Sequence, residues 1–493
     1  MSDLKYKVSR DPVHGEIYLY PLELLCADTR PLQRLRRVSQ LAGAERVYPS
    51  ATHTRFLHSL GVMHVCGEYA DHLDFYPART RILRIAGLVH DIGHGPFSHQ
   101  FDETVYRKAG IEEGHDQQRE KILKEFMPGE MLKIFNDRMK TNWKQNIIKD
   151  LSTITGTSPE TEEEILEGFK LLMDKVCEVF EGERHGSVDF NIVQGPLGAD
   201  RIDFIKRDAY YCGTVEYGTI DLKRIIRYSS VSTKDDKQVL SYSEKIMDSI
   251  YTVLFGRFMM YKNVYFHKTA RAADMMLQKA LELSYDFMSM YERVNDPEKF
   301  VHLTEEAVIY EIKNYALNEM KKEEKNMDAI EAFEILDRYN QRNLWKNVLE
   351  ISFSTTGVDP SRIANGVGED NLKNIKSNIE KALNGDMPEY DRKELNEILN
   401  GFDEIFKIDT PYKLSLVHPA EFLANHVFLR VSYDSDYKLV DFEKYLLKNP
   451  FYRSISGSLV QMVRIYITVD CREILDRYSV LPKDTELNLT TRW

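Results

Sequence analysis

Residues 88–102 read Leu-Val-His-Asp-Ile-Gly-His-Gly-Pro-Phe-Ser-His-Gln-Phe-Asp, and this stretch restricts the fold more than any other. The mostly apolar residues 82–89 predict a buried helix, and the Gly93, Gly95, Pro96 cluster predicts its end. His90 and Asp91 then fall on the last buried turn, opening into a cavity. Buried imidazoles and carboxylates are costly unless partnered. A divalent cation is one such partner, and this donor type suits Fe, Mn, Zn or Mg. Alone, an adjacent His-Asp pair is weak, because a capping aspartate beside a hydrogen-bonded core histidine looks the same. Two further stretches favour the metal. His53 to Val62 puts His58 on a second apolar helix, and Leu197 to Asp208 puts acids on a third.

The rest of the chain sets boundaries on function. Its 493 residues, 43% apolar and 29% charged, are enough for a large core and more than one lobe. No apolar run approaches the ~20 residues of a bilayer span, and the N-terminus has no signal-peptide core. The five cysteines form no paired spacing, which predicts a reducing cytoplasmic or nuclear setting. A net charge of −12 gives no support to broad nucleic-acid binding. Basic residues are nevertheless concentrated at Arg30, Arg34, Arg36, Arg37 and Arg46. By composition alone they read as a solvated helix face.

Apolar periodicity predicts helices over 21–41, 56–73, 79–92, 116–126 and 196–212. Residues 219–245 are mixed, with a short hairpin. Ala273, Met276, Ala280, Leu283, Phe287 and Met290 predict one long helix with a core-packing stripe. Residues 127–186 read as a peripheral helical insertion, and 301–410 as charged amphipathic helix. From 411 to 493, segments such as His426–Val431 and Met462–Ile467 predict a small α+β lobe. The whole is mainly α.

Asp11-Pro12-Val13-His14-Gly15, Gln33-Arg34-Leu35-Arg36, Gln40-Leu41-Ala42-Gly43, His53–Val62, His90–Asp102, Ala199–Asp208 and Tyr265-Phe266-His267-Lys268 together resemble the HD-domain deoxynucleoside triphosphate triphosphohydrolases. The likeness is to the vertebrate branch, in which a sterile-alpha-motif domain accompanies the HD domain. No match to that extra domain is expected, since the likeness begins near residue 7. It runs to about residue 350 and continues weakly around Val463–Tyr466. It implies an HD helical core over 1–126 and 187–300, with 301–410 serving regulation and oligomerisation.

The resemblance implies hydrolysis of a dNTP to deoxynucleoside and inorganic triphosphate. The family's metal ligands fall on His58, His90, Asp91 and Asp200, and its acid–base group on His94, His99, Asp102 and His115. Within that group His115 is favoured as proton donor, with Asp102 orienting it. Arg55 and Arg257 fall on phosphate-contacting positions, and Arg201 and Phe204 on further substrate-binding positions. Gln40 and Asp208 match contacts to the 3′-hydroxyl, and Leu41 and Tyr265 match residues that crowd the 2′ position. Three departures stand out: Arg201 replaces a lysine, Phe204 a tyrosine and Phe266 a glutamine.

A guanine-nucleotide effector site that drives homotetramer assembly is implied on Lys7, Asp28, Gln33, Arg36, Arg342 and Lys346. Arg10 replaces an asparagine of that pocket. Two alternatives stay open: an HD phosphatase or phosphodiesterase acting on monophosphates, cyclic nucleotides or nucleic-acid ends, and a non-catalytic nucleotide sensor.

Overall fold

The computed structural model describes residues 6–355, 360–411, 427–433, 436–448 and 459–482. The N-terminal segment is an antiparallel hairpin of β1 (Lys7–Asp11) and β2 (Gly15–Leu19). Helices α1 (Pro21–Ala27), α2 (Arg30–Arg34), α3 (Arg55–His72) and α4 (Pro77–Val89) follow. The single helix expected over 21–41 is therefore broken. Thr29-Arg30-Pro31 restarts the chain with proline in the first turn of α2, and the helical run ends after Arg37. Helices α3 and α4 lie within a residue or two of their expected starts, because each is set by an apolar stripe that is buried.

Residues 127–186 form helices Met127–Arg138, Thr141–Thr155 and Glu162–Glu181. Their Ile134, Leu151, Phe169 and Val176 share one apolar core with Val62, Leu88 and Ile202. The segment is thus packed into the main core rather than laid on its outside. Helix Lys268–Ser284 stops before the expected stripe does. Ser289 takes a positive φ of 50°, and Met290 opens a new helix, Met290–Asn295.

The largest departure lies in 301–410. Helices Glu305–Glu319 and Met327–Asn340 are present, but Lys346–Thr355 is a strand, β5, and Phe406–Asp409 another, β6. Both pair antiparallel with β9 (Leu459–Ile467), in the order β5-β9-β6. A second sheet joins hairpin β3 (Ser229–Lys234) and β4 (Lys237–Ser243) to β7 (Phe428–Tyr433) and β8 (Asp436–Asp441). The β4–β7 pairing is parallel. The α+β texture expected from 411 is there, but each of its sheets is completed by strands from earlier in the chain. His426 lies outside the described residues. A second apolar core, including Ile375, Leu395, Phe402, Ile465 and Leu475, sits behind the β5-β9-β6 sheet.

Candidate functional site

The end of α4 is where the candidate site begins. A Cβ on Gly93 would lie 1.9 Å from the His115 carbonyl oxygen and 2.7 Å from the Arg119 nitrogen. Only glycine lets the helix His115–Lys121 approach this turn. The turn's carbonyls are satisfied by two buried arginines. Arg34 donates to Ile92 O at 2.9 Å and His94 O at 2.6 Å, and Arg119 donates to His90 O at 3.2 Å. Arg34 thus belongs to the core of the site and not to a solvated face. Arg30 pairs with Glu130 and Glu298, and Arg37 with Glu306.

Three elements converge on the predicted metal ligands. Helix α3 contributes His58, the end of α4 contributes His90 and Asp91, and helix Ala199–Tyr211 contributes Asp200. His58 Nε2 lies 3.1 Å from His90 Nε2 and 3.0 Å from Asp200 Oδ1. Asp91 Oδ1 is 3.3 Å from His90 Nε2, and Asp91 Oδ2 is 3.8 Å from His58 Nε2. The outward ring nitrogens are already committed. His90 Nδ1 donates to the Gly87 carbonyl at 2.8 Å, and His58 Nδ1 to Asp203 at 2.7 Å. Two imidazole nitrogens and the Asp200 carboxylate therefore group as a donor set that fits a divalent cation, with Asp91 beside them and bonded to Arg55. Burial opposes a charge on His58, yet its bonds to Asp200 and Asp203 raise it to about 10. Without a cation, a proton takes that place. Burial likewise opposes the Asp91 carboxylate, but Arg55, His90 and His94 hold it well below the usual carboxylate range.

Beside this centre stands a second cluster, His94, His99, Asp102 and His115. Asp102 Oδ2 accepts from His115 Nδ1 at 2.8 Å and His99 Nδ1 at 3.2 Å, with His94 Nδ1 at 3.5 Å. His94 stacks on His115 with centroids 3.7 Å apart, and its Nε2 is 3.4 Å from Asp91. Burial and the nearby Arg55 and His115 keep His94 well below the ordinary histidine value. Burial also works against His115, but Asp102 prevails and raises it. His94 is thus neutral near neutral pH, while His115 keeps its proton to a higher pH than an ordinary histidine.

A cavity of about 590 Å³ opens alongside. Its wall holds Gln40, Leu41, Arg55, Phe204, Asp208 and Tyr265, six residues singled out from the sequence. Arg55 donates to Asp91 at 2.6 Å and to Ser98 Oγ at 2.7 Å, which ties the wall to the metal donors. Tyr265 donates to Asp208 Oδ2 at 2.6 Å, and His53 holds Asp208 Oδ1 at 2.7 Å. The Gln40 side-chain oxygen is buried without a hydrogen-bond partner among the described residues. His99 lines the cavity and its side chain is 65% exposed, whereas His115 is not part of the lining. Strand β6 closes the wall with Ile408 and Asp409, and Arg271 reaches Asp409 at 2.7 Å.

Residues 55–151 match the HD domain and residues 220–387 the HD associated region. The chain is an HD-domain protein. It is 28% identical over 391 residues to the deoxynucleoside triphosphate triphosphohydrolase SAMHD1 homolog of Dictyostelium discoideum, covering 76% of this chain and 68% of that one. It is 29% identical over 350 residues to an uncharacterized protein of Methanocaldococcus jannaschii, and 27% over 366 residues to human deoxynucleoside triphosphate triphosphohydrolase SAMHD1. Each covers 70% of this chain, which spans only 60% and 55% of those proteins. A crystal structure of a hypothetical protein from Aquifex aeolicus superposes with a TM-score of 0.59 at 25% identity, covering 96% of this chain and 98% of that one. The HD domain holds the ligand-bearing helix α3, the His-Asp turn and the His94–His115 cluster. The domain supports an HD-type phosphohydrolase, and its His and Asp clusters have the donors to hold a metal ion. No helix among the described residues is long and apolar enough to cross a membrane.

The remaining expected residues lie away from the cavity wall of this HD-domain protein. Arg201 donates to Pro196 O at 3.4 Å, and the Arg257 guanidinium sits 5.3 Å from the Tyr261 ring. Lys7, Asp28, Gln33 and Arg36 group together near α1 and α2. Gln33 donates to Ala27 O at 2.8 Å and accepts from Arg36 at 2.9 Å, while Arg36 stacks on Phe56 at 3.7 Å. The Asp28 carboxylate makes no hydrogen bond or ion pair among the described residues; burial raises it while Lys7, Arg138 and Arg36 pull it down. Arg342 donates to Arg46 O at 2.9 Å and Lys346 opens β5. No hydrogen bond or ion pair joins these two groups among the described residues.

Residues that the sequence reading passed over also build the site. His53 and Asp203 lay inside stretches already singled out, and the i,i+4 spacing of Asp203 and Arg207 was a signal for a buried pair. Arg271 and Asp409 carried none, because they meet only through the β6 strand.

Proposed function

We propose that this protein hydrolyses deoxynucleoside triphosphates to deoxynucleoside and inorganic triphosphate. The observation that carries the reading is a nucleotide-sized cavity whose wall joins Gln40, Leu41, Asp208 and Tyr265 to Arg55, itself bonded to the metal-centre carboxylate Asp91. The relatives described as triphosphohydrolases support it.

Arg55 meets phosphate oxygens, which its planar fork can contact in pairs. The unpartnered Gln40 oxygen accepts the 3′-hydroxyl beside Asp208. Leu41 and Tyr265 stand where a ribose 2′-hydroxyl would be buried unpaired, which excludes it. When bound, a divalent cation supplies Lewis acidity at the α-phosphate and lowers the pKa of water. In the net reaction a water oxygen bonds to the α-phosphorus, the bond to O5′ breaks and O5′ receives a proton. His99 is the group of its cluster that faces the cavity, so the donor role moves from His115 to His99. Asp102, which also accepts from His115, orients it.

Lys7, Asp28, Gln33 and Arg36 form one half of an effector site, with unpartnered Asp28 placed to accept from a guanine edge. Arg342 and Lys346 of a second copy complete it. The substrate reading is tested by incubating metal-loaded protein with each dNTP and NTP and resolving the products. Triphosphate from dNTPs supports it, and orthophosphate from monophosphates supports the phosphatase alternative. Turnover with and without GTP, beside sedimentation, tests assembly. Equal rates and unchanged mass reject it.

A further inference from the structure

The Asp11-Pro12-Val13-His14-Gly15 motif has no part in the chemistry above, yet it is built with care. It forms the turn between β1 and β2. Asp11 Oδ1 accepts from the backbone N–H of Val13 at 2.9 Å and of His14 at 2.8 Å, and Gly15 closes the turn at φ +80°. Asp11 Oδ2 takes Arg207 Nη1 at 2.7 Å, which pins the turn to helix Ala199–Tyr211. His14 is thereby aimed inward, and its Nε2 meets Asp203 Oδ1 at 2.6 Å.

Asp203 is fully buried and saturated with donors. Oδ1 takes His14 and Arg207 Nη2 at 3.0 Å; Oδ2 takes His58 Nδ1 at 2.7 Å and Arg207 Nε at 2.9 Å. Helix α3 is cut away to admit it. A Cβ on Gly61 would lie 2.0 Å from Asp203 Oδ1 and 2.5 Å from Arg207 Nη2. The N-terminal turn, helix Ala199–Tyr211 and a glycine one turn beyond His58 thus all serve one carboxylate, and that carboxylate reaches a metal donor.

We propose that Asp203, held by His14 and Arg207, is the positioning residue of the metal centre: it fixes His58 Nδ1 as the protonated nitrogen and leaves the Nε2 lone pair facing the cation. A neutral imidazole is otherwise free to carry its proton on either nitrogen, and one tautomer turns N–H, not a lone pair, toward Asp200 and His90. An outer carboxylate removes that choice, and losing such a partner typically weakens metal binding 10–100-fold. His14 touches no metal donor and acts only through Asp203. The inference rests on the metal-site reading above.

The test is Mn²⁺ affinity of the full chain, measured by competition with a fluorescent chelator and no nucleotide present. Asp203→Asn weakens Mn²⁺ binding by ~10–100-fold, His14→Ala by about tenfold, and His14→Gln, which keeps an N–H donor, recovers most of the loss. The d–d absorption of the Co²⁺-loaded protein changes in Asp203→Asn and is restored toward wild type in His14→Gln relative to His14→Ala. A folded Asp203→Asn that binds Mn²⁺ within about twofold of wild type overturns the assignment. If that variant does not fold, His14→Ala decides by the same threshold. Asp200→Asn separates the two readings. Unchanged Mn²⁺ affinity there sinks the metal site itself, and this inference with it. A loss in Asp200→Asn with none in Asp203→Asn sinks the positioning role alone.

Discussion

His58 Nε2 and His90 Nε2 stand 3.1 Å apart, while the opposite nitrogen of each ring is held by an acceptor of its own. The facing nitrogens are thus left to share a cation or, without one, a proton. Adding Mn²⁺ at a hundredfold excess over its Kd stabilises the folded chain by about 2.7 kcal/mol, a chelator reverses it, and Asp200→Asn abolishes the gain. The same cation must displace the proton that His58 holds up to about pH 10. Mn²⁺ affinity therefore rises with pH across the neutral range, which calorimetry at three pH values checks. Asp91→Ala abolishes turnover while the helical circular dichroism persists.

The His115–Asp102 pair gives a second pH signature. His115 is raised above its ordinary 6.5 once the bond to Asp102 outweighs burial. Its contribution to stability is thus fully present below pH 6.5 and is lost as pH climbs through the raised value. Asp102→Asn removes that dependence. Between pH 6 and 9, the unfolding midpoint of wild type falls by more than that of Asp102→Asn, and equal slopes would reject the pairing. His99→Ala, which removes the cavity-facing member, lowers kcat by ~10²–10⁴-fold.

The sequence made the ligand-bearing parts legible because each is a local pattern. Apolar stripes located α3, α4 and the helix carrying Asp200, and glycines marked the turn that exposes His90 and Asp91. Glycine's other role was hidden, since Gly61 and Gly93 are required by neighbours distant in sequence. Strand β5 was read as helix because it lies among amphipathic helices, and its partner β9 is more than a hundred residues away. Arg34 looked like one of a basic surface cluster, and only the buried carbonyls of Ile92 and His94 reveal its place. His115 reads as the proton donor from residue type and its bond to Asp102, whereas the proposal of His99 rests on a cavity that no local pattern shows.

Leu41 and Tyr265 lie in the cavity wall, and the proposed function gives them the discrimination between sugars. Trimming Leu41 to Ala makes room for a 2′-hydroxyl without supplying a clash. The kcat/KM ratio of dNTP over NTP falls by ~10-fold or more, within the range of single apolar contacts. Tyr265→Phe keeps the bulk and removes the 2.6 Å bond to Asp208, so it raises KM for dNTPs with little gain for NTPs. Competition assays with paired dGTP and GTP read both effects.

Arg271 and Asp409 form the tie between helix Lys268–Ser284 and strand β6, with side chains 15% and 4% exposed. Breaking such a pair from one side leaves a buried charge uncompensated, at a cost of about 3–5 kcal/mol. Asp409→Ala should therefore lower stability by that order in urea denaturation. Because Asp409 and Ile408 also wall the cavity, KM rises in the same variant. Arg271→Met with Asp409→Leu replaces the pair by apolar bulk and recovers part of the stability, since only buried Asp274, 3.8 Å from Arg271, loses a partner. KM stays high in that double variant, because the polar wall is still missing. A double variant that recovers both would show that the tie acts on the cavity only through folding.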